Sequence, residues 1–462
     1  MVSGDTFTLA DILAIANIHP FYACNVKYPP DADTIRMARE RASEDTAELD
    51  LKSQPALWRS TLYSTINRLM EDTNPENGFR HGVYTSITGG GSGSRPILFL
   101  TDVQENRRAR VDFGRFLRRM GLLSNSEWVV TTHTSGELYR SLDLTSECFE
   151  NAGASVLAAG HIMSPAEVVQ LMVIYHATVL SGESSQIVAI VYYISTMPPE
   201  ERTRFKLDKI IYTSEGLTPS QRSHIYEVLG NIKIYSILGS AEAGPYAVSC
   251  PRLIGSHWAT ASYEDFVFDT RMTRIEILPL SFSEYDSFCK PVADGELGIV
   301  AQTSLTRLRN PLVRYITGDV GLLHSLPEDT RAVIHEQDWK YLRVLRLQGR
   351  DRRFSFEWDS NYLEFSGLKA LMNGPQSGVV LWQAILDKME PSLEGSIELR
   401  VLRSNQSSDA MSEKDLIHRI EIFFHVCPPN RHRFKLVFLE DDRMFKRSTT
   451  GRKIVQFVNN YN

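Results

Sequence analysis

The stretch "YTSITGGGSGSRPILFLTD", residues 84–102, runs a cluster of hydroxyls into four glycines within five residues, and the apolar run Ile97–Leu100 follows at once. Glycine loses more conformational freedom on ordering than any other residue, so a fold keeps a loop this rich in it only for a reason. Its N–H groups and hydroxyls suit the wrapping of a polyphosphate. A Walker loop needs Gly-Lys-Ser/Thr and then a helix, and a dinucleotide fingerprint also needs a helix next. Here the loop ends Gly93-Ser94-Arg95-Pro96 and enters a strand-like run, which disfavours both. What is left is a Ser/Thr/Gly loop between two strands. Taken alone, it reads equally well as a hairpin turn with no ligand.

The elements that would position such a loop follow from patterning. With 462 residues, 42% of them hydrophobic, the chain exceeds one ordinary core, and two or three domains are expected. A net charge of −6 argues against a polyanion partner, so no nucleic acid is expected. The cysteines (Cys24, Cys148, Cys250, Cys289 and Cys427) are sparse and lack CxxC spacing, which reads as reduced thiols in a cytoplasmic protein. The N-terminus lacks a basic region before its apolar part, unlike a signal peptide, and the apolar runs are too short to span a bilayer.

After Leu100 an amphipathic helix is expected, with Ala109, Phe113, Phe116, Leu117 and Met120 at helical spacing and Gly121 to end it. Its other face, Arg107, Arg108, Arg110, Arg115, Arg118 and Arg119, has no interleaved aromatics and reads as solvated. An α/β rhythm follows. Strands are expected at 128–132, 155–159, 209–212 and 232–238. Capping signals at Ser164-Pro165-Ala166-Glu167 and Thr218-Pro219-Ser220-Gln221 open helices, the first running to about Leu180 and the second closed by Gly230. This alternation implies helix-covered sheets, in which ligands gather beyond the strand ends. Past residue 347 the texture changes: "LQGRDRR" reads as a linker, and a strand–helix–strand pattern at 396–403, 412–426 and 434–439 reads as a small α+β unit.

Three later stretches, "LGSAEAGP" at 238–245, "NPLVRYITGD" at 310–319 and "GRDRR" at 349–353, join the glycine loop in an ordered set. In this order and spacing, over roughly residues 80–460, the chain resembles the adenylate-forming superfamily of acyl-CoA synthetases, adenylation domains and luciferases, and within it the phenylacetate-CoA ligase-like branch. The resemblance implies a large N-terminal α/β domain (1–346), a hinge (347–353) and a small mobile C-terminal α+β domain (354–462). It implies an enzyme that activates an apolar, aromatic or unsaturated carboxylic acid with ATP and Mg²⁺ as an acyl-AMP. The acyl group then passes to CoA or a carrier-protein thiol, or to an amine or hydroxyl.

Residue by residue, the resemblance gives Ser86, Thr88, Gly89, Gly90, Gly91, Ser92, Gly93 and Ser94 to the phosphates of ATP. It gives Glu215 and Gly216 to the adenine pocket, and Gly239, Ser240 and Ala241 to the nucleotide. Glu242 would hold Mg²⁺, Asp319 and Arg350 the ribose, and His133 and Gly136 the acyl group. The sequence also departs from the family. Ala241 stands where a hydroxyl usually meets the α-phosphate, and Arg452 stands where a catalytic lysine follows the glycine, with Lys453 next. Trp358-Asp359 stands where a glycine opens the pantetheine tunnel, so transfer to CoA is less well supported than adenylation. These departures support the alternative of a divergent member that binds a nucleotide or acyl ligand without forming an adenylate. A zinc site at Cys250 and His257, with Cys289, lacks an evident fourth ligand, and buried thiols are the simpler reading.

Overall fold

The computed structural model describes residues 7–44, 51–87, 98–136, 138–214, 216–217, 219–254, 263–284, 286, 288–350, 355–374, 377–392, 394–403, 411–440, 443–446 and 456–460. Among them, the main sheet has eleven strands. One half is parallel, with Ser155–Ala158, Trp128–Thr131, Val179–Glu183, Lys209–Thr213 and Lys233–Ser240 side by side. From Gly244–Val248 outward the strands turn antiparallel, through Glu264–Asp269, Leu342–Arg350, Tyr315–Ser325, Gly298–Ser304 and Thr273–Leu278.

Helices cover the parallel half for local reasons. Ser164 caps Pro165–Tyr175 in a reciprocal capping box with Glu167. That helix stops at Tyr175 instead of reaching Leu180. His176 takes a left-handed conformation at φ 51°, which ends the helix, and Leu180 lies in the next strand. Pro219–Leu229 runs to Gly230 at φ 72°. Asp102 caps Val103–Arg119 by accepting the N–H groups of Gln104 and Glu105.

The arginines on the Val103–Arg119 helix do not share one solvated face. Arg110 is buried against Tyr84 and pairs with Asp143 and Glu147, and Arg119 pairs with Asp269 and Asp338. The carboxylates come from other elements, so the sequence of the helix gave no sign of the pairing.

Beyond the main sheet, Phe434–Leu439, Glu394–Arg403, Val379–Met389 and Phe457–Asn459 form a four-stranded sheet on which Glu413–Phe423 packs. Trp358 belongs to the core of this second sheet. It is 1% exposed and donates its indole N–H to the Gly395 carbonyl at 2.9 Å, while Asp359 holds Arg433 and Asn430. The Trp358-Asp359 pair is thus spent on packing. No helix of the described residues is long and apolar enough to cross a membrane.

Candidate active site

The two strands that flank the glycine loop pair with each other. Val83–Ile87 and Leu98–Asp102 pair antiparallel, with Ile87 opposite Leu98, so both ends of the loop emerge from one hairpin. Thr88, Gly89, Gly90, Gly91, Ser92, Gly93 and Ser94 themselves lie outside the described residues. Ser86, at the loop's base, donates its hydroxyl to the Ala241 carbonyl at 3.1 Å. The hairpin is therefore fastened to the turn of "LGSAEAGP".

That turn joins Lys233–Ser240 to Gly244–Val248. Ser240 Oγ accepts the Ala243 N–H at 3.0 Å. Gly239 permits the tight return, because a Cβ there would lie 2.8 Å from both the Gly244 carbonyl oxygen and Pro245 Cα. Ser86, Gly239, Ser240 and Ala241 form part of the wall of a cavity of about 200 Å³.

His133 lines the same cavity, with Phe113 and Phe149 nearby on the wall. Its Nδ1 lies 2.8 Å from Thr131 Oγ1 and its Nε2 3.0 Å from Thr213 Oγ1. Full burial pushes the imidazole down to about 3, so the ring is neutral at ordinary pH, with one nitrogen donating and the other accepting. Ser214, next to Glu215, also lines the cavity and takes φ 75°. Glu215 lies outside the described residues. Gly216 is described, and Gly136 sits exposed in a short hairpin opposite Tyr139.

Glu242 is only 3% exposed and does not stand alone. Its Oε1 accepts the phenol hydrogens of Tyr63 at 2.5 Å and Tyr315 at 2.9 Å, and Arg59 Nε lies 3.8 Å away. Burial by itself would raise this carboxyl, but Arg59 and the two phenols overrule it and hold it below the usual range. The carboxylate is therefore ionised, with its charge balanced by Arg59. Sequence reading missed Arg59 and Tyr63, which lie in a helix, Arg59–Glu71, without a motif of its own. Tyr315 lies within "NPLVRYITGD", where the resemblance gives it no role.

Among the described residues no group of three or more His, Cys, Asp or Glu is placed to hold a metal ion. Mg²⁺ is commonly held by one or two carboxylates together with substrate phosphates. Glu242 is ionised, the form such a ligand needs, and follows the cavity-lining Ala241 in the chain. Cys250 is buried, its thiol directed at the Met120 carbonyl 3.5 Å away and pushed up to about 11 by burial; His257 lies outside the described residues.

Asp319 and Arg350 are brought together by strand register, their Cα atoms facing each other across two neighbouring strands of the main sheet. Gly318 takes φ 82° within the strand, and Asp319 is buried, its N–H donated to Thr317 Oγ1 at 3.1 Å. Leu342–Arg350 remains a strand to its end, so residues 347–350 of the expected hinge are extended. Arg452 and Lys453 lie outside the described residues.

No family model matches the chain, and no curated protein matches it. Solved structures do. A 2-hydroxyisobutyryl-CoA ligase in complex with 2-HIB-AMP and CoA, in the thioesterification state, matches over 98% of this chain and 91% of that one, with TM-score 0.67 and 15% identity. The same ligase in a postadenylation state, with 2-HIB-AMP, gives TM-score 0.53 at 16% identity over 97% of this chain and 87% of that one. The amide bond synthetase McbA from Marinactinospora thermotolerans gives TM-score 0.53 at 14% identity over 82% of this chain and 68% of that one. The chain thus shares the α/β fold of these enzymes across nearly its whole length.

Proposed function

We propose that this chain is an adenylate-forming ligase, which joins a carboxylic acid to AMP at the expense of ATP and passes the acyl group to a nucleophile. One observation carries the reading. Ser86, in the strand that leads into the glycine loop, is fastened to Ala241, and both line one cavity with His133. Residues far apart in sequence are thereby gathered where a nucleotide's phosphates and an acid must meet. The fold-level match to ligases that form and transfer acyl adenylates agrees with it.

In this reading the acid's carboxylate oxygen attacks the α-phosphorus and pyrophosphate leaves. The acceptor then attacks the acyl carbonyl and AMP leaves. The chain contributes mainly position and charge. The glycine loop closes on the phosphates from the hairpin. Gly239, Ser240 and Ala241 let backbone approach the α-phosphate closely. Asp319 accepts the ribose hydroxyls, with Arg350 opposite it. Arg452, with Lys453 beside it, supplies positive charge near the reacting oxygens. Mg²⁺, when bound, neutralises phosphate charge, and Glu242 is the residue that would hold it. Neutral His133 orients the acid through a hydrogen bond and carries no charge of its own. The small C-terminal unit turns about 347–353 between the two half-reactions, and the protein works in the cytoplasm.

CoA, a carrier-protein thiol, an amine and a hydroxyl all remain acceptors for the test. Trp358 packs in the second core, so its ring is no argument against CoA. The experiment is pyrophosphate release from ATP and Mg²⁺ against a panel of aryl and alkyl acids, with CoA or an amine added in turn. Acid-dependent release establishes adenylation. Folded protein that releases none with any acid refutes it in favour of a non-adenylating binder.

A further inference from the structure

Arg307 is a buried cation that forms no ion pair among the described residues. It is 5% exposed, it lines the cavity, and its Nη1 has no hydrogen-bond partner. Its guanidinium lies over the Phe99 ring at 5.2 Å, and its Nη2 borders the "LGSAEAGP" turn, 3.4 Å from where a Cβ on Gly244 would stand. The two carboxylates whose charge reaches it are otherwise engaged. Glu105 accepts the N–H groups of Leu308 and Arg309, and Glu242 holds Tyr63 and Tyr315. Neither forms an ion pair with Arg307 among the described residues. Burial accordingly pulls the guanidinium down to about 10.

A desolvated guanidinium without a partner is costly, and a ligand that brings the missing negative charge would offset that cost. The planar fork of arginine matches a carboxylate, which it can hold through two parallel hydrogen bonds. We propose that Arg307 is the acid-recognition residue of this cavity, pairing with the carboxylate of a small organic acid. The proposal rests on the adenylation reading only for what happens next; acid binding itself needs no ATP. The cavity wall includes the apolar side chains of Phe113, Leu144, Phe149 and Met272. A cavity of about 150 Å³ holds benzene, so about 200 Å³ takes one ring or a branched short chain together with its carboxylate. Placed beside the turn, the pair leaves the carboxylate next to the segment that would meet the α-phosphate. Arg307 would hold and orient the acid there, offsetting the hydroxyl that Ala241 lacks.

The test is calorimetry on the full chain without ATP. The probes are benzoate, phenylacetate, 2-hydroxybenzoate and isobutyrate, each beside its primary amide, with AMP as a separate arm. At least one acid should bind, and its amide at least tenfold more weakly. Arg307→Gln should weaken the acid at least tenfold and leave the amide and AMP unchanged, and Arg307→Lys should restore part of the loss. Arg307→Met should hold or raise the thermal midpoint, because it removes an uncompensated charge, whereas a purely structural arginine would lower it on removal. Failure of every acid to bind, equal binding of acid and amide, or an Arg307→Gln effect on AMP alone overturns the proposal. Acid binding through Arg307 without pyrophosphate release would remove the adenylation reading and leave this one standing. Acid-dependent release unaltered in Arg307→Gln would do the reverse.

Discussion

Replacing Arg59 by Met should expose how the Glu242 site is held. Glu242 is nearly sealed from water, and Arg59 is the cation that faces it, 3.8 Å from Oε1. At that distance, with an effective dielectric constant of about 20, the Coulomb attraction is about 4 kcal/mol. Breaking a buried pair by removing one partner generally costs about 3–5 kcal/mol. Arg59 keeps some solvent contact, which places the expected loss near the lower end, at about 3 kcal/mol. The pH dependence gives a sharper signature. In the native chain the Glu242 carboxyl lies below its ordinary value, so its contribution is present above the unfolded pKa and is lost as pH falls through the folded one. Without Arg59, burial dominates and the folded pKa rises above the unfolded value. The remaining contribution is then complete only below the unfolded pKa and is lost as pH rises. The deficit of Arg59→Met should therefore be small near pH 5 and full near pH 8. Unfolding of the full chain at both pH values, for Arg59→Met, Glu242→Gln and the double variant, checks this. Glu364→Gln serves as control for the second Arg59 partner, 3.3 Å away and partly exposed. The reasoning is refuted if Arg59→Met loses under about 1 kcal/mol at pH 8, or if its effect simply adds to that of Glu242→Gln.

Four other outcomes are expected. Asp319→Ala should remove most ATP affinity, and unchanged affinity by calorimetry would dissociate this aspartate from the ribose. Arg452→Ala should depress pyrophosphate release strongly while the thermal midpoint stays put; an unaltered rate would return that turn to the surface. Gly239→Ala forces a Cβ into backbone at 2.8 Å and should destabilise by about 1–3 kcal/mol, with weaker nucleotide binding, since the turn must shift; a neutral result in denaturant unfolding would show that the turn yields freely. His19 and His133 are both buried and pushed down to about 3, so their contribution is present above about pH 6.5 and is lost as pH falls toward 3. His133→Asn should make stability fall less steeply between pH 6.5 and 4, and an unchanged slope would mean that His133 titrates normally.

The cavity has consequences for the substrate. The resemblance implies an apolar acid, and Phe113, Phe149, Leu144 and Met272 line the cavity. Arg307 adds a fixed charge at one end, so affinity should depend on the acid's anionic form as well as on its hydrocarbon. The amide comparison separates these two contributions.

What the sequence determined by itself is local. The capping box at Ser164 and Glu167, the stop at Gly230 and the strands on either side of the glycine loop depend on residues a few positions apart, and the structure shows all of them. The ordered motifs were legible too, and the shared fold with acyl-adenylate ligases follows from the same pattern. Tertiary structure alone decided which charges meet. Arg59 and Tyr63 reach Glu242 because an N-terminal helix packs beside the antiparallel strands, and Tyr315 reaches it across that half of the sheet. The same long-range packing buried Arg110, which periodicity placed on a solvated face, and Trp358, which the resemblance placed at a tunnel, and left Arg307 Nη1 in the cavity wall without a hydrogen-bond partner among the described residues. Backbone propensity acts over one or two turns, whereas burial and ion pairing are set by which elements the sheet order brings together.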